Sequence, residues 1–212
     1  MKKREKIEIL TNYLKSLIKD VRIELDYETD FQLLIAVLMS AQTTDIQVNK
    51  VNKEFFKYLR EPKDVNILGV EKITKMISSI GFYRNKAKNI YATGNILIEK
   101  YNSKIPDNLE DLTALPGVGV KTAKVVLSTL YDKPYLAVDT HVHRVLNRVG
   151  LVKTKIPEET DKKVDKLFDD KDKRELHHLL ILFGRYHCKA QNPDCKNCKI
   201  KEICVYKNKN LD

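Results

Sequence analysis

The sequence has no tryptophan, only seven glycines and six prolines in 212 residues, and no cysteine before position 188. Its longest uninterrupted apolar run, LLIAVLM at residues 33–39, is far shorter than the ~20 residues that span a bilayer. A membrane-spanning helix is therefore excluded. The N-terminus MKKREKIEIL opens with charge, and no apolar signal-peptide core follows it. No alternation of apolar and polar residues survives beyond a few positions, which excludes a sheet as the main architecture. There is no Gly/Ser linker, repeat or low-complexity segment. Acidic residues are also short, 29 against 39 Lys and Arg, for a net charge of +10 and a pI near 9.3. That surplus points to a polyanionic partner, nucleic acid first; lysine spread evenly over the surface is the plainer alternative. The expectation is a soluble, cytoplasmic protein with no membrane partner.

What is present is helical period in almost every segment, with 42% hydrophobic residues to build a core. Ile7, Leu10, Leu14, Leu17 and Ile18 form one stripe, Ala87, Ile90, Gly94, Leu97 and Tyr101 a second, and Leu176, Leu179, Leu180 and Phe183 a third. FQLLIAVLMSA from Phe31 is apolar on nearly all faces and reads as a buried central helix. Gly69, Gly81, Pro106, Pro116 with Gly117 and Gly119, Pro134, and Gly150 with Pro157 punctuate the pattern. The sum is an all-α protein of roughly nine to eleven short helices.

LEDLTALPGVGVKTAKVVLSTL reads as a short helix, a tight turn and a second helix starting near Val120. Gly117 and Gly119 let the backbone take positive φ and approach another molecule closely. The unpaired N–H groups at the start of the second helix favour an anion such as a DNA phosphate; an ordinary tight turn between helices is the alternative. Lys121 stands in that first turn, where a cation is poorly placed for stability. The same field, with partial burial, favours the neutral amine, a nucleophile able to form a Schiff base. A surface lysine on a phosphate accounts for it equally well.

Asp139 lies before an apolar-periodic helix containing Val142, Val145, Leu146 and Val149. It reads as an N-cap, and it could also face a developing positive charge on a sugar ring. Cys188, Cys195, Cys198 and Cys204 have the spacing C-x6-C-x2-C-x5-C. Four thiolates so close can enclose either Zn(Cys)4 or a [4Fe–4S] cluster, and the spacing alone does not choose. A disulfide framework does not suit a chain with no signal peptide.

The segments LMSAQTTDIQVNK, LPGVGVKTAKVVL, AVDTHVHRVLNRVG and HHLLILFGRYHC, with the cysteine tail, together resemble the endonuclease III family from about Ile9 to Tyr206. That family comprises helix-hairpin-helix DNA glycosylases with AP-lyase activity that remove oxidised pyrimidines. The resemblance implies two helical lobes with a DNA-binding cleft between them. Residues 21–132 would form a six-helix barrel domain containing the helix-hairpin-helix, and residues 1–20 plus 133–212 an iron–sulfur cluster domain. It implies a [4Fe–4S] cluster on the four cysteines. The implied partner is double-stranded DNA with a damaged base or abasic site, bound by a monomer. Lys121 would attack C1′ of the flipped nucleotide and Asp139 would support base loss and proton transfer. Extruding the base costs a few kcal/mol, least for a damaged one. Gln42 would fill the gap left by that base, Asp45 and His141 would line or support the pocket, and Gly117, Gly119, Val120 and Lys189 would meet the backbone. Without the resemblance, Gln42 is a helix-end polar residue and Asp45 a helix N-terminal acid.

Two positions depart from the family pattern. Phe82 in IGFYRNKA stands where a leucine wedge is common, and the loop KAQNPD has Lys189 as its one base and carries Asp194. Three other readings compete. The adenine-mismatch glycosylase branch lacks the lysine and carries a further C-terminal domain, whereas here the chain stops at Asp212. A non-catalytic helix-hairpin-helix DNA-binding module would leave Lys121 and Asp139 unexplained. A metal-dependent nuclease would need a carboxylate cluster, which the sequence does not offer.

Overall fold

Helices in this chain begin and end where side chains or turns can answer the backbone groups left over at a helix terminus. The computed structural model describes residues 1–211 and contains helix but no strand among them. The helices are α1 (Lys3–Leu17), α2 (Asp30–Ser40), α3 (Asp45–Phe55), α4 (Asp64–Met76), α5 (Tyr83–Tyr101), α6 (Leu109–Thr113), α7 (Val120–Tyr131), α8 (Thr140–Val149), α9 (Pro157–Leu167) and α10 (Asp170–Tyr186). The side chains of Thr29, Thr44, Asn108, Asp139 and Asp169 each accept a backbone N–H at the start of α2, α3, α6, α8 and α10. Gly150 closes α8 in the left-handed conformation, and Pro157 opens α9. Gly69 breaks the helical path as expected: with φ 68 and ψ 160 it separates two helical stretches within α4. No helix among the described residues is long and apolar enough to cross a membrane.

The chain divides into two units, Glu24–Asp132 and a second made of Met1–Ile23 with the chain from Lys133 onward. The first unit holds α2 to α7. Its centre is α2, in which every residue from Phe31 to Met39 is buried, as the unbroken apolar run leads one to expect. Gln32 is the polar exception, fully buried. Its amide nitrogen donates to the carbonyls of Phe56 (3.0 Å) and Leu59 (2.9 Å), and its carbonyl accepts from the N–H of Glu28 (2.8 Å). A buried amide is tolerated only when satisfied in this way. In the second unit, α1, α8 and α10 contribute the apolar faces Ile7–Leu10–Leu14, Val142–Val145–Leu146–Val149 and Leu176–Leu179–Leu180–Phe183 to one core. Each such side chain contributes about 1.5–3 kcal/mol on burial. Cys188 and Cys198 pack against this core from the C-terminal loop.

The turn between α6 and α7 is fixed from α5. The buried Thr93 hydroxyl donates to the Pro116 carbonyl (3.2 Å), and a side chain on Gly117 would meet the Asn89 amide at 2.5 Å. Gly117 has φ +77, so its turn needs glycine on both counts. Gly119 differs from expectation. Its φ is −82, it is the N-cap of α7, and a Cβ there would meet nothing within 4 Å.

The two glycines therefore separate on mutation. Gly117→Ala should lower unfolding free energy by about 2–4 kcal/mol, from left-handed strain plus the clash with Asn89. Gly119→Ala should cost about 1 kcal/mol or less, the difference between the two residues as N-caps. Denaturant melts of the two variants check this, and equal losses would contradict it.

Candidate functional site

In the first unit the N-terminus of α7 stands bare. Gly119 offers no capping side chain and the first turn contains no acidic residue. Ala123 is the first residue whose N–H returns to the helix, at the Gly119 carbonyl (2.9 Å). The N–H groups of Val120, Lys121 and Thr122 thus have no intrahelical acceptor, and the helix dipole adds to their positive field. Val120 is 51% exposed and Lys121 is exposed beside it. The partial burial that one of the two sequence readings of Lys121 required is not seen; the residue is exposed. An anion is the natural partner of this corner.

The same unit holds Gln42, Asp45 and Phe82. Gln42 lies in the turn between α2 and α3, exposed, with φ 56. Asp45 is the first residue of α3, where a carboxylate meets the positive end of the helix. Phe82 is the N-cap of α5 with φ 58 and is 67% exposed, an uncommon place for a phenyl ring. Gly81 packs against the Gln42 turn, where a Cβ would come within 3.3 Å of the Gln42 carbonyl oxygen.

Asp139 and His141 belong to the other unit, at the start of α8. Asp139 Oδ1 accepts from the Val142 N–H (2.8 Å), which fixes the carboxylate as the N-cap. One carboxylate oxygen is thereby committed and the second is not. Behind it, α8 and α10 approach so closely that a side chain on Gly184 would strike the His141 Cβ at 2.8 Å. Arg144 spans this contact. Its guanidinium donates to the Gly184 carbonyl (2.7 Å) and the Cys188 carbonyl (3.0 Å) and meets His141 Nδ1 (3.2 Å).

The four cysteines line a single pocket with about 420 Å³ of space, counting the part open to solvent. Val149, Phe183, Pro193 and Ile200 supply apolar walls. Among the described residues, no three His, Cys, Asp or Glu side chains group to hold a single metal ion; what the thiols share is the pocket. Arg148 braces its rim. It donates to Cys188 Sγ (3.4 Å) and to the carbonyls of Lys189 (2.7 Å) and Ala190 (3.1 Å), while its guanidinium lies 4.0 Å over the Tyr206 ring. Burial raises the Cys188 and Cys198 thiols. Arg148 opposes this at Cys188, and the Ile200 N–H and the Tyr13 hydroxyl oppose it at Cys198. Lys189 itself is exposed.

Sequence reasoning found the glycines, the lysine, the aspartate and the thiols but missed Arg144, Arg148 and Lys86. The arginines gave no signal, because their acceptors are carbonyls about 40 residues away. Lys86 did give one. It stands on the same helical stripe as Ile90, Thr93 and Leu97, all buried, where an apolar residue is expected.

Comparison with known proteins gives the chain's family. The family model for HhH-GPD superfamily base excision DNA repair proteins matches residues 35–170. Endonuclease III of Rickettsia conorii is 49% identical over 185 residues, 87% of this chain and 88% of that protein. Endonuclease III of Escherichia coli is 43% identical over 209 residues, 99% of each. A solved structure of a trapped endonuclease III–DNA covalent intermediate, with an estranged adenine, superposes with a TM-score of 0.89 at 41% identity, covering 97% of this chain and 96% of that one. The bare start of α7 with Lys121, the capping Asp139 and the four thiols all fall within the length shared with the Escherichia coli protein, and the chain belongs to the endonuclease III family of HhH-GPD base excision DNA repair proteins.

Proposed function

We propose that this chain, as a monomer, removes oxidised pyrimidines from duplex DNA and cuts the strand through an imine on Lys121. It is a base excision DNA glycosylase and AP lyase by family. The substrate class, residue roles, cofactor and assembly state are our reading. The observation that carries it is the α7 corner: unanswered N–H groups for a phosphate, and an exposed amine two residues past Gly119. The covalent DNA intermediate described for a related endonuclease III supports an attacking lysine. In this reading the Glu24–Asp132 unit is the barrel domain with the hairpin, and the other unit is the iron–sulfur domain.

The steps balance as follows. The neutral Lys121 Nζ bonds to C1′ while the bond from C1′ to the base breaks; the base leaves with the electron pair and takes up a proton. The sugar ring opens, the ring oxygen gains a proton, and the nitrogen loses one to give the imine. A proton then leaves C2′, the C3′–O bond breaks, and the 3′ strand departs as phosphate. Water finally hydrolyses the imine and frees the lysine. Asp139 supplies negative charge against the positive sugar and relays the protons. Its cap bond holds the carboxylate still for this, so no reorganisation is needed at the moment of reaction. Gln42, Phe82, Gly117, Gly119, Val120 and Lys189 contact DNA, with Asp45 and His141 supporting the base pocket.

The cysteine pocket fits a [4Fe–4S] cluster. Four sulfur donors from one loop face one space, and Arg148, Tyr13 and the Ile200 N–H aim donors at the sulfurs, as suits cluster thiolates. Cys188, Cys195, Cys198 and Cys204 would hold it, and its iron–sulfur bonds would fix the loop that carries Lys189.

Two outcomes are expected. Asp139→Asn keeps an N-cap of equal quality, so melting temperature and affinity for a damaged duplex should hold while turnover falls about 100-fold or more. Near-normal turnover would refute the catalytic role. Protein purified without air should absorb broadly in the blue with about four irons and four sulfides per chain; colourless protein with one zinc per chain would overturn the cluster assignment.

A further inference from the structure

Among the described residues, six that are not glycine have positive φ. Asn102, Ser103, Asp132 and Asn192 have short polar side chains, which suit that conformation. Gln42 and Phe82 do not, and both stand at exposed turns. Such strain persists only where the surroundings impose it. The two turns are neighbours: Gly81 leaves 3.3 Å from its would-be Cβ to the Gln42 carbonyl, and the Gln47 amide donates to the Ser79 hydroxyl (2.9 Å).

Lys86 imposes it. From the first turn of α5, four residues after Phe82, this lysine, only 6% exposed, reaches the Gln42 turn. Its ammonium donates to the carbonyls of Met39 (2.8 Å) and Ala41 (2.6 Å) and to the Thr43 hydroxyl (3.2 Å). An ammonium has three donors, and all three are used. None of the partners is a carboxylate, so the charge is held by oxygens at the C-terminus of α2, where the dipole welcomes a cation. Burial works against that charge, which makes the three acceptors necessary. The acceptors bracket Gln42 on both sides.

We infer that Lys86 is a positioning residue for DNA: from the helix whose start carries Phe82, it clasps the Gln42 turn, so that the two tips meet a damaged duplex as one rigid wedge. This rests on the DNA-contact roles proposed above for Gln42 and Phe82. The grip of the α7 corner on phosphate does not involve Lys86, so the effect should fall on recognition of the gap and not on general affinity.

The test compares binding to a duplex carrying a tetrahydrofuran abasic analogue with binding to the same duplex undamaged, with 2-aminopurine opposite the analogue as a fluorescent reporter. Lys86→Met should keep its affinity for undamaged DNA and its salt dependence. It should lose about tenfold of the preference for the analogue, the scale of one charge-assisted hydrogen bond, and most of the fluorescence change. Lys86→Arg should restore part of both. A folded Lys86→Met with full preference, alongside a Gln42→Ala that has lost it, overturns the positioning role alone. Full preference in Gln42→Ala as well overturns the wedge itself, and this inference with it. If Lys86→Met does not fold, Thr43→Val decides, since it removes one acceptor: reduced preference supports the inference and unchanged preference overturns it.

Discussion

Every α-helix ends with backbone groups its own ladder leaves unanswered, four N–H at one end and four carbonyls at the other. In this protein Lys121, Asp139 and Gln42, which we assign to the reaction and to DNA contact, stand at or next to such ends. The start of α7 is left bare, with glycine for a cap and no acid in its first turn, so the field there is available to an external anion. The start of α8 is answered by Asp139, which is thereby locked in orientation. The end of α2 is answered by a lysine from α5, which fixes the turn that follows. Three helix ends treated in three ways give a field open to an anion, an oriented carboxylate and a braced turn. None of them needs a special fold, only a choice of residue at the cap.

The cysteine loop depends on the same economy of donors. Arg144 and Arg148 lie one helical turn apart on α8 and spend their guanidinium protons on carbonyls of residues 184 to 190. The segment that bears Cys188 is thus tied to the helix that begins at Asp139. The rest of the loop returns to α8 through the Val205 N–H on the Arg148 carbonyl (2.8 Å). In our reading an iron–sulfur cluster completes a scaffold already stapled by arginine, and its place is structural. The positive balance of the whole chain suits a partner met first through its phosphates.

Much of this was legible in the sequence, and the reasons for success and failure are physical. The α2 core was plain because a fully apolar run has no solvent face. The hairpin was plain because Pro116, Gly117 and Gly119 leave few alternatives, and the four cysteines because their chemistry is independent of conformation. The glycines were only half understood. Gly117 needs a left-handed backbone, whereas Gly119 has an ordinary φ with open space around it, and sequence does not separate those two cases. Sequence left Lys121 open between a partly buried amine and a surface lysine, because the first turn of a helix gives no periodicity to tell which way a single residue faces; the structure exposes it. Arg144 and Arg148 were invisible because the partners that tie them to the cysteine loop are main-chain oxygens, which every residue carries; Lys86 showed only as a charge on an apolar stripe.

The central claim is that the amine beside the bare helix end is the nucleophile. Borohydride trapping tests it most directly. The protein, in EDTA, is mixed with a duplex carrying one abasic site or one thymine glycol and then reduced, with Lys121→Ala alongside. The account predicts a covalent protein–DNA complex on both duplexes with the unaltered chain and none with Lys121→Ala. No complex from a chain that still binds both duplexes, or an undiminished one from Lys121→Ala, would contradict it.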